Sequence, residues 1–495
     1  MTPATAAALV RWDGYEQSLA AAQTRSGVDE SVTVAVERFG AREAVVARLH
    51  FDFLGGSMGR VHGGRIVAAI DDAVRRGIPF LAVIASGGAR TQEGYDALVQ
   101  MGATVAAVNR ARDAGIPTIA WLRHPTMGGV HASYGAAADL IVADRGAAVG
   151  FAGPRVVTAF TGITVDGSSH TAESYHAAGL IDALADDEEA AYRILEDWIS
   201  LAHPLDSPSG DVPADDLLAR DVPARNDATA AVAQSDAAVT GWDAVTRARA
   251  VRPGVRDILR EATDQYTELR GDRVGADDDC MVTALARVDG RRVVVIGTDR
   301  DADGAGGRRG APAAAGFRKA QRAIRLAGRW RVPVVTLIDT AGADPSPASD
   351  RSGLAASISE TLAALLDAPV PTLAIVTGEG GSGGAFALAA ADRIVMQDDA
   401  VFEVIAPEGA ASILLRDPAR APEIAERMGL GADDLRRRGH VDATIPGPTT
   451  HGAATALAAL RAELRAHVDG THPSSLGAAG RLRRFPTSTT EGDAS

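Results

Sequence analysis

Apolar positions along this chain fall into two rhythms that take turns. Short unbroken apolar runs at Ile78 to Ala85, Ile116 to Leu122 and Leu140 to Ala143 predict buried strands. Between them, Gly64 to Arg76 carries Ile66, Ala69, Ile70, Ala73 and Val74 on one face, and a longer helical pattern runs from about Gln92 to Ala114. A further helix is predicted over Ala132 to Ala138, after the loop His124 to Val130. Upstream, residues 1–45 read as helical segments leading into a first strand pair. Val46 to Phe53 is strand-like and is broken at Gly55-Gly56-Ser57-Met58-Gly59. Strand alternating with helix predicts an α/β domain.

The second half of the chain repeats this order. A strand beginning at Val332-Pro333 ends in Asp339-Thr340-Ala341-Gly342-Ala343, and a helix is predicted at Leu354 to Leu366. Val370 to Val376, a glycine cluster, the helical pattern Ala385 to Ala391 and the run Asp392 to Met396 follow. Landmarks recur at a nearly fixed spacing: Pro333 lies 254 residues after Pro79, Pro371 254 after Pro117, and Asp392 253 after Asp139. That is an internal duplication. It predicts a first domain over 1–203, a Pro/Asp/Ser/Ala-rich linker over 204–240, a second domain over 241–470 and a polar tail over 471–495.

Chemistry concentrates at Gly380 to Ala385, the stretch GGSGGA, where a strand pattern feeds glycines that open into an alanine-rich helix. Without a Cβ, successive backbone N–H groups can turn inward, and a helix N-terminus adds partial positive charge. No GK[ST] follows, and GxGxxG with an acidic residue at ribose distance is absent, so an oxyanion is the sharper ligand than a nucleotide phosphate. A net charge of -14 argues against nucleic acid. Of 50 basic residues 49 are Arg; Lys319 is the one lysine. The lone Cys280 excludes a disulfide framework and a multi-cysteine zinc site, and His124 with His131 lacks a third ligand at metal spacing, so no metal is expected. No apolar run reaches membrane-spanning length and no signal-peptide pattern opens the chain, which predicts a cytoplasmic protein.

The stretches GGSMG from Gly55, ASGGARTQEG from Ala85, HPTMGGVHAS from His124 and GFAGPRV from Gly150 resemble the β subunit of bacterial acetyl-CoA carboxylase carboxyltransferase. ELRGDR from Glu268, GFRKA from Gly316, IDTAGA from Ile338, GEGGSGGA from Gly378 and IAPEGAASIL from Ile405 resemble its α subunit. The chain is similar to a β–α fusion of that enzyme. The resemblance implies two tandem crotonase/ClpP-like (ββα spiral) domains and transfer of a carboxyl group from carboxybiotin to acetyl-CoA, giving malonyl-CoA. It implies separate biotin carboxyl carrier and biotin carboxylase proteins, and a homodimer or larger whose site joins the first half of one copy to the second half of another. The β family's four-cysteine zinc ribbon has no counterpart here, and the usual DTPGAYPG reads Asp339-Thr340-Ala341-Gly342-Ala343-Asp344-Pro345-Ser346.

By that pattern, Gly87 and Gly88 are assigned to the acyl-CoA enolate, and Gly383 and Gly384 to the biotin carbonyl. Ser86, Ala89, Arg90, Gly128, Gly129, Gly153, Arg155, Lys319, Gly342, Glu408 and Gly409 are the candidate substrate-binding positions. Tight helix–strand packing is the plainer role for the same glycines. Arg90 could shape the pocket or anchor its loop, and the stripe Arg318, Arg322, Arg325 and Arg329 could attract phosphates or simply be solvated. Asp139 and Asp392 read as strand-entry caps. Competing functions are carboxylation of another acyl-CoA, a biotin-independent malonyl decarboxylase and a non-catalytic scaffold for a biotinyl carrier. Hydratase chemistry needs two converging glutamates, and Glu379 stands alone beside its glycines.

Overall fold

The computed structural model describes Trp12 and residues 14–166, 169–202, 241–304 and 309–471, without the side chains of residues 155, 159 and 160. The expected linker over 204–240 and all but the first residue of the expected tail lie outside them.

Two sheets carry the α/β architecture that the duplication predicts. The first contains β1 (Val32–Phe39), β2 (Arg42–Leu49), β3 (Phe80–Ser86), β4 (Thr118–Met127), β5 (Leu140–Asp144), β6 (Val149–Gly150) and β7 (Ala183–Ala185). Their order is β1-β2-β3-β4-β5-β7, with β6 added on β4. The second contains β8 (Gln265–Glu268), β9 (Met281–Val288), β10 (Arg291–Thr298), β11 (Val334–Thr340), β12 (Thr372–Gly381), β13 (Arg393–Gln397), β14 (Val401–Glu403) and β15 (Ala443–Ile445). Its order is β15-β13-β12-β11-β10-β9-β8, with β14 on β12. Each sheet thus has an antiparallel hairpin at one side, a parallel body, and one short strand branching from its central parallel strand. These are the two tandem ββα-spiral units. Even the irregularity is shared: register shifts between Ile84 and Ser86 in one and between Ile338 and Thr340 in the other.

Asp139 and Asp392 do serve as strand-entry caps. Asp139 accepts from the N–H and hydroxyl of Thr118 (both 2.8 Å), and Asp392 from those of Thr372 (2.8 and 3.1 Å). The helix Tyr95–Asp113 is buried along nearly its whole length, with polar Asp96, Gln100, Thr104 and Asn109 buried among its apolar residues. It meets the helix Leu354–Leu366 of the other half, where Asn109 donates to Asp367 at 2.5 Å. One continuous core takes in Leu98 and Met101 from the first half with Leu362, Phe386 and Phe402 from the second.

Several boundaries differ from the sequence reading. The helix expected from Gly64 starts at Arg60, with His62 buried between Ser31 and Tyr134 and Gly63 against Gln100 of the helix Tyr95–Asp113. The helix expected from Ala132 begins at Gly128 and passes through a wider turn at His131–Gly135. The strand before the glycine cluster runs through it to Gly381, since Gly380 pairs with both Thr340 and Phe402. Its helix is correspondingly short, Ser382–Phe386.

Candidate functional site

Each half offers the same two backbone corners. In the first, the chain leaves β3 at Ser86, whose hydroxyl accepts from the N–H of Gly88 at 3.0 Å. The Gly88 carbonyl then accepts from Met58, and Arg90 donates to Met58 O, both at 2.9 Å. These two bonds make a one-residue parallel bridge of Met58 with Ala89, which aims the Ala89 N–H away from Met58. In the second half Thr340 replaces Ser86 and accepts from the N–H of Gly342 at 3.1 Å. Asp344 donates to Pro312 O at 2.9 Å, leaving Ala343 in the place of Ala89. Gly88 and Gly342 take φ of +114° and +131°, so glycine is required at both.

The second corner is the helix start after the central strand. Gly128 (φ +64°) opens one and Ser382 (φ +58°) the other, 254 residues apart. The next residues, Gly129 and Gly383, lie in the first turn of a helix and so have no partner for their N–H groups within it. The corners touch. A Cβ on Gly88 would lie 3.2 Å from Gly129 N, and one on Gly384 2.6 Å from Ala343 N. Ala89 with Gly129, and Ala343 with Gly383, are therefore two matched pairs of neighbouring main-chain N–H groups.

Ala89, Gly129 and Ala343 line one cleft of about 160 Å³ between the halves of the chain, and Gly383 lies next to its lining residue Ser382. Gly87, Ala89, Gly128, Gly129, Phe151 and Gly153 line it from the first half, and Ala341, Gly342, Ala343, Pro345, Ser382 and Val404 to Ala406 from the second. Gly383 faces the same junction: a Cβ there would lie 3.0 Å from the tip of Met101 and 3.6 Å from the Phe151 ring. Both halves of the chain contribute to this lining, because the central helix Tyr95–Asp113 and the Phe151 turn pack directly on the Gly383 corner. Among the described lining residues, Thr91 and Ser382 supply the only side-chain hydroxyls, and none is titratable.

Several sequence assignments change with this geometry. The N–H of Gly87 donates to Gly55 O at 2.9 Å and that of Gly88 to Ser86, so neither is free to hold an oxyanion. Gly88 and Gly384 make room for the donors instead. Ser86 is buried beneath its loop rather than open to the cleft. Arg90 is 1% exposed and binds Glu30 (2.5 Å), Glu93 (3.1 Å) and Ser57 O (2.8 Å), so it anchors the loop from behind. Lys319 is buried and paired with Asp277 at 2.7 Å, which spends its charge on the fold. Glu408 pairs with Arg249 at 2.6 Å, and Gly409 is buried within the helix Pro407–Leu414; neither lines the cleft. Arg155 opens the helix Pro154–Thr161 beside Gly153, and its side chain is outside the described residues. Arg318 and Arg322 bind Asp272 and the carbonyls of Arg270 and Gly271, while Arg325 and Arg329 are exposed, as a solvated face would have them.

Glu379 does not stand alone. Arg249 bridges it (2.8 Å) to Glu408, and the buried Glu403 lies in the same cluster. Burial pushes the Glu403 carboxyl well above the usual range, with Glu379 adding to the effect. None of these carboxyls lines the cleft, so they do not form the converging pair a hydratase needs. Asp339, beneath the second corner, is lifted by burial to about 6, against the pull of Arg300.

The apolar wall formed by Leu98, Met101, Val156 and Ile413 is absent from the sequence reading of the site, and so is Ala343, whereas Ala89 is among its substrate-binding positions. A residue-by-residue comparison at the 254 spacing would have paired Ala89 with Ala343 and Gly129 with Gly383.

Residues 222–476 match the family described as acetyl co-enzyme A carboxylase carboxyltransferase-like. A relative from Salinispora arenicola, "Acetyl-coenzyme A carboxylase carboxyl transferase subunits beta/alpha", is 39% identical over 92% of this chain and 80% of its own length. A Mycobacterium bovis protein, "Probable biotin-dependent acyl-coenzyme A carboxylase beta3 subunit", is 38% identical over 88% of this chain and 83% of its own. Among solved structures, the transcarboxylase 12S hexamer aligns at 24% identity with a TM-score of 0.39, covering 90% of this chain and 83% of that one. The chain belongs to the acetyl-CoA carboxylase carboxyltransferase family, with β-like and α-like halves in one polypeptide.

Proposed function

We propose that the cleft moves a carboxyl group from carboxybiotin, carried on a separate protein, to the α-carbon of an acyl-CoA, with acetyl-CoA as substrate and malonyl-CoA as product. The observation that carries this reading is the pair of matched main-chain donor sets on a wall with no described titratable side chain. Such a site can stabilise charge developing on oxygen, but it offers no described side-chain base or nucleophile.

Following the family pattern for which half serves which substrate, Ala89 and Gly129 hold the thioester oxygen as it takes on enolate character. Ala343 and Gly383 hold and orient the ureido oxygen of biotin. The fit to biotin rests on the missing Cβ atoms: one on Gly381 would meet the Ala341 carbonyl carbon at 2.3 Å and one on Gly384 would meet Ala343 N at 2.6 Å, so their absence lets the Ala343 loop lie close against the Gly383 corner. Carboxybiotin, when bound, would supply the carboxyl group and, at the ureido nitrogen that group vacates, the base for the acyl α-proton. Each donor contributes about 3 kcal/mol of transition-state stabilisation, roughly a hundredfold in rate. Leu98, Met101, Phe151 and Val156 exclude water from the same space.

Purified protein offered acetyl-, propionyl- and butyryl-CoA with carboxybiotin, or malonyl-CoA with biotin in reverse, tests the reading. Preference for acetyl-CoA is expected. Preference for a longer acyl group would move the substrate while leaving the donor assignment, and the acyl-CoA carboxylase name of the mycobacterial relative makes that the second reading. Biotin-independent release of CO2 from malonyl-CoA would point to a decarboxylase, and no turnover at all to a scaffold. The proposal also requires a biotin carrier and a biotin carboxylase, a cytoplasmic location and a homodimer or larger, the last read by sedimentation. No helix among the described residues is long and apolar enough to cross a membrane.

A further inference from the structure

We propose that Asp350, a residue of the second half, is the positioning residue that sets the oxyanion donor Gly129 of the first half. Asp350 sits in the short helix Pro347–Arg351, capped by Ser346 and entered from Pro345 on the cleft wall. Its carboxylate is 1% exposed and reaches into the other half. There it accepts from the Tyr175 hydroxyl at 2.8 Å, the His170 N–H at 3.1 Å and the Phe151 N–H at 3.4 Å.

The Phe151 bond is the one with consequences. On the other side of that residue, the Phe151 carbonyl accepts from the N–H of Gly128 at 3.0 Å. Gly128 holds the left-handed turn (φ +64°) that points the following N–H, that of Gly129, at the cleft. A continuous line therefore runs from the Asp350 carboxylate through Phe151 to the turn that aims the donor. The Phe151 ring also walls the cleft opposite Gly383, so the same carboxylate fixes the spacing of the two donor sets. Gly150 is held to the same arrangement: a Cβ there would lie 3.4 Å from Asp350 Oδ1 and 2.7 Å from the His170 ring. Ser169, His170 and Asp350 do not form a nucleophilic triad, since Ser169 Oγ and the carboxylate both approach His170 at Nδ1.

This inference rests on the carboxyltransfer reading, and its test separates the two. Asp350→Asn keeps the volume but sets an amide N–H2 among three donors. Steady-state carboxyl transfer should show kcat reduced by about tenfold or more with KM for acyl-CoA changed by less than about threefold, because a small misplacement of a donor acts on the transition state. Tyr175→Phe removes one donor and leaves the carboxylate on both backbone amides; its kcat should fall between wild type and Asp350→Asn, with KM unchanged. Wild-type kcat in Asp350→Asn, or a loss carried entirely by KM, overturns the assignment. If Asp350→Asn is not recovered folded, Tyr175→Phe decides alone, and a wild-type kcat there overturns it. Failure of the wild-type protein to transfer carboxyl to any acyl-CoA would instead remove the functional reading beneath.

Discussion

Adding a single methyl group at Gly384 tests the donor geometry most directly. A Cβ there would stand 2.6 Å from Ala343 N, 2.9 Å from its Cβ and 3.2 Å from its Cα. Against an ordinary contact of about 3.5 Å, the shortfall at the nitrogen is roughly 0.9 Å. Neither side can yield cheaply: Ala343 is fixed by the Asp344 to Pro312 and Gly342 to Thr340 bonds, and Gly384 lies in the first turn of a buried helix. Gly384→Ala should therefore cost about 1–3 kcal/mol of stability as overpacking. A donor displaced by about 1 Å should lower kcat by about a hundredfold, equivalent to about 2.7 kcal/mol of barrier. Gly383→Ala is the matched control. Its Cβ would meet the Met101 tip at 3.0 Å, a flexible end that can swing aside, so its loss should stay near tenfold or below. Initial rates of malonyl-CoA formation, with thermal unfolding of each variant to confirm the fold, measure both. A folded Gly384→Ala protein working within threefold of wild type, or one less impaired than Gly383→Ala, would refute the claim that Ala343 is a placed donor.

Ser382 occupies a left-handed conformation that its counterpart Gly128 takes without strain. Relief of that strain, less the extra freedom of glycine in the unfolded chain, predicts that Ser382→Gly gains up to about 1 kcal/mol, read as a higher urea midpoint at unchanged slope. Asp96 ties the two halves: burial raises its pKa, but His440 Nε2 at 2.8 Å and Arg438 at 2.5 Å outweigh burial and bring it from 3.8 to about 2. A lowered acid contributes stability that is present above pH about 4 and lost as pH falls toward 2, so Asp96→Asn should cost about 2 kcal/mol at pH 7 and almost nothing near pH 2; equal cost at both pH values would contradict it. Glu403 has the opposite sign. Burial raises its pKa, so it favours the fold most below the ordinary glutamate range and opposes it progressively as pH rises toward its raised value. Neither carboxyl oxygen has a hydrogen-bond partner among the described residues. Glu403→Gln should therefore be more stable than wild type at neutral pH, with a flatter decline above pH 5, both visible in unfolding curves across pH.

Much of the architecture was legible because it rests on the periodicity of apolar side chains and on landmarks repeated at one spacing. The helix Leu354–Leu366 was placed to the residue, since a sustained apolar face leaves few alternatives. Ends governed by glycine were misplaced: β12 continues through Gly378 to Gly381 because two neighbouring strands bond to its backbone, and no side-chain pattern reports that. Partners distant in sequence were equally invisible, so Arg90 and Lys319 read as possible ligand contacts although Glu30, Glu93 and Asp277 claim them.

The glycine pairs show most clearly what a sequence withholds. Their positions disclose where backbone must pass without a Cβ, which is why both corners of the site could be located. They do not disclose where an N–H points. Gly87 and Gly88 spend theirs on Gly55 and Ser86, and the free donor is the alanine that follows, a residue with no chemistry to advertise it. Ser382 supplies the independent argument that the corner matters. It adopts φ +58° where the first half uses glycine, and a serine held there gives up the easier conformations open to it. A corner retained in both halves, once with the residue suited to it and once against that residue's preference, is better explained by the N–H that follows than by packing. Packing alone would be satisfied by letting the second helix start in an ordinary conformation, which would turn the Gly383 N–H away from its present direction.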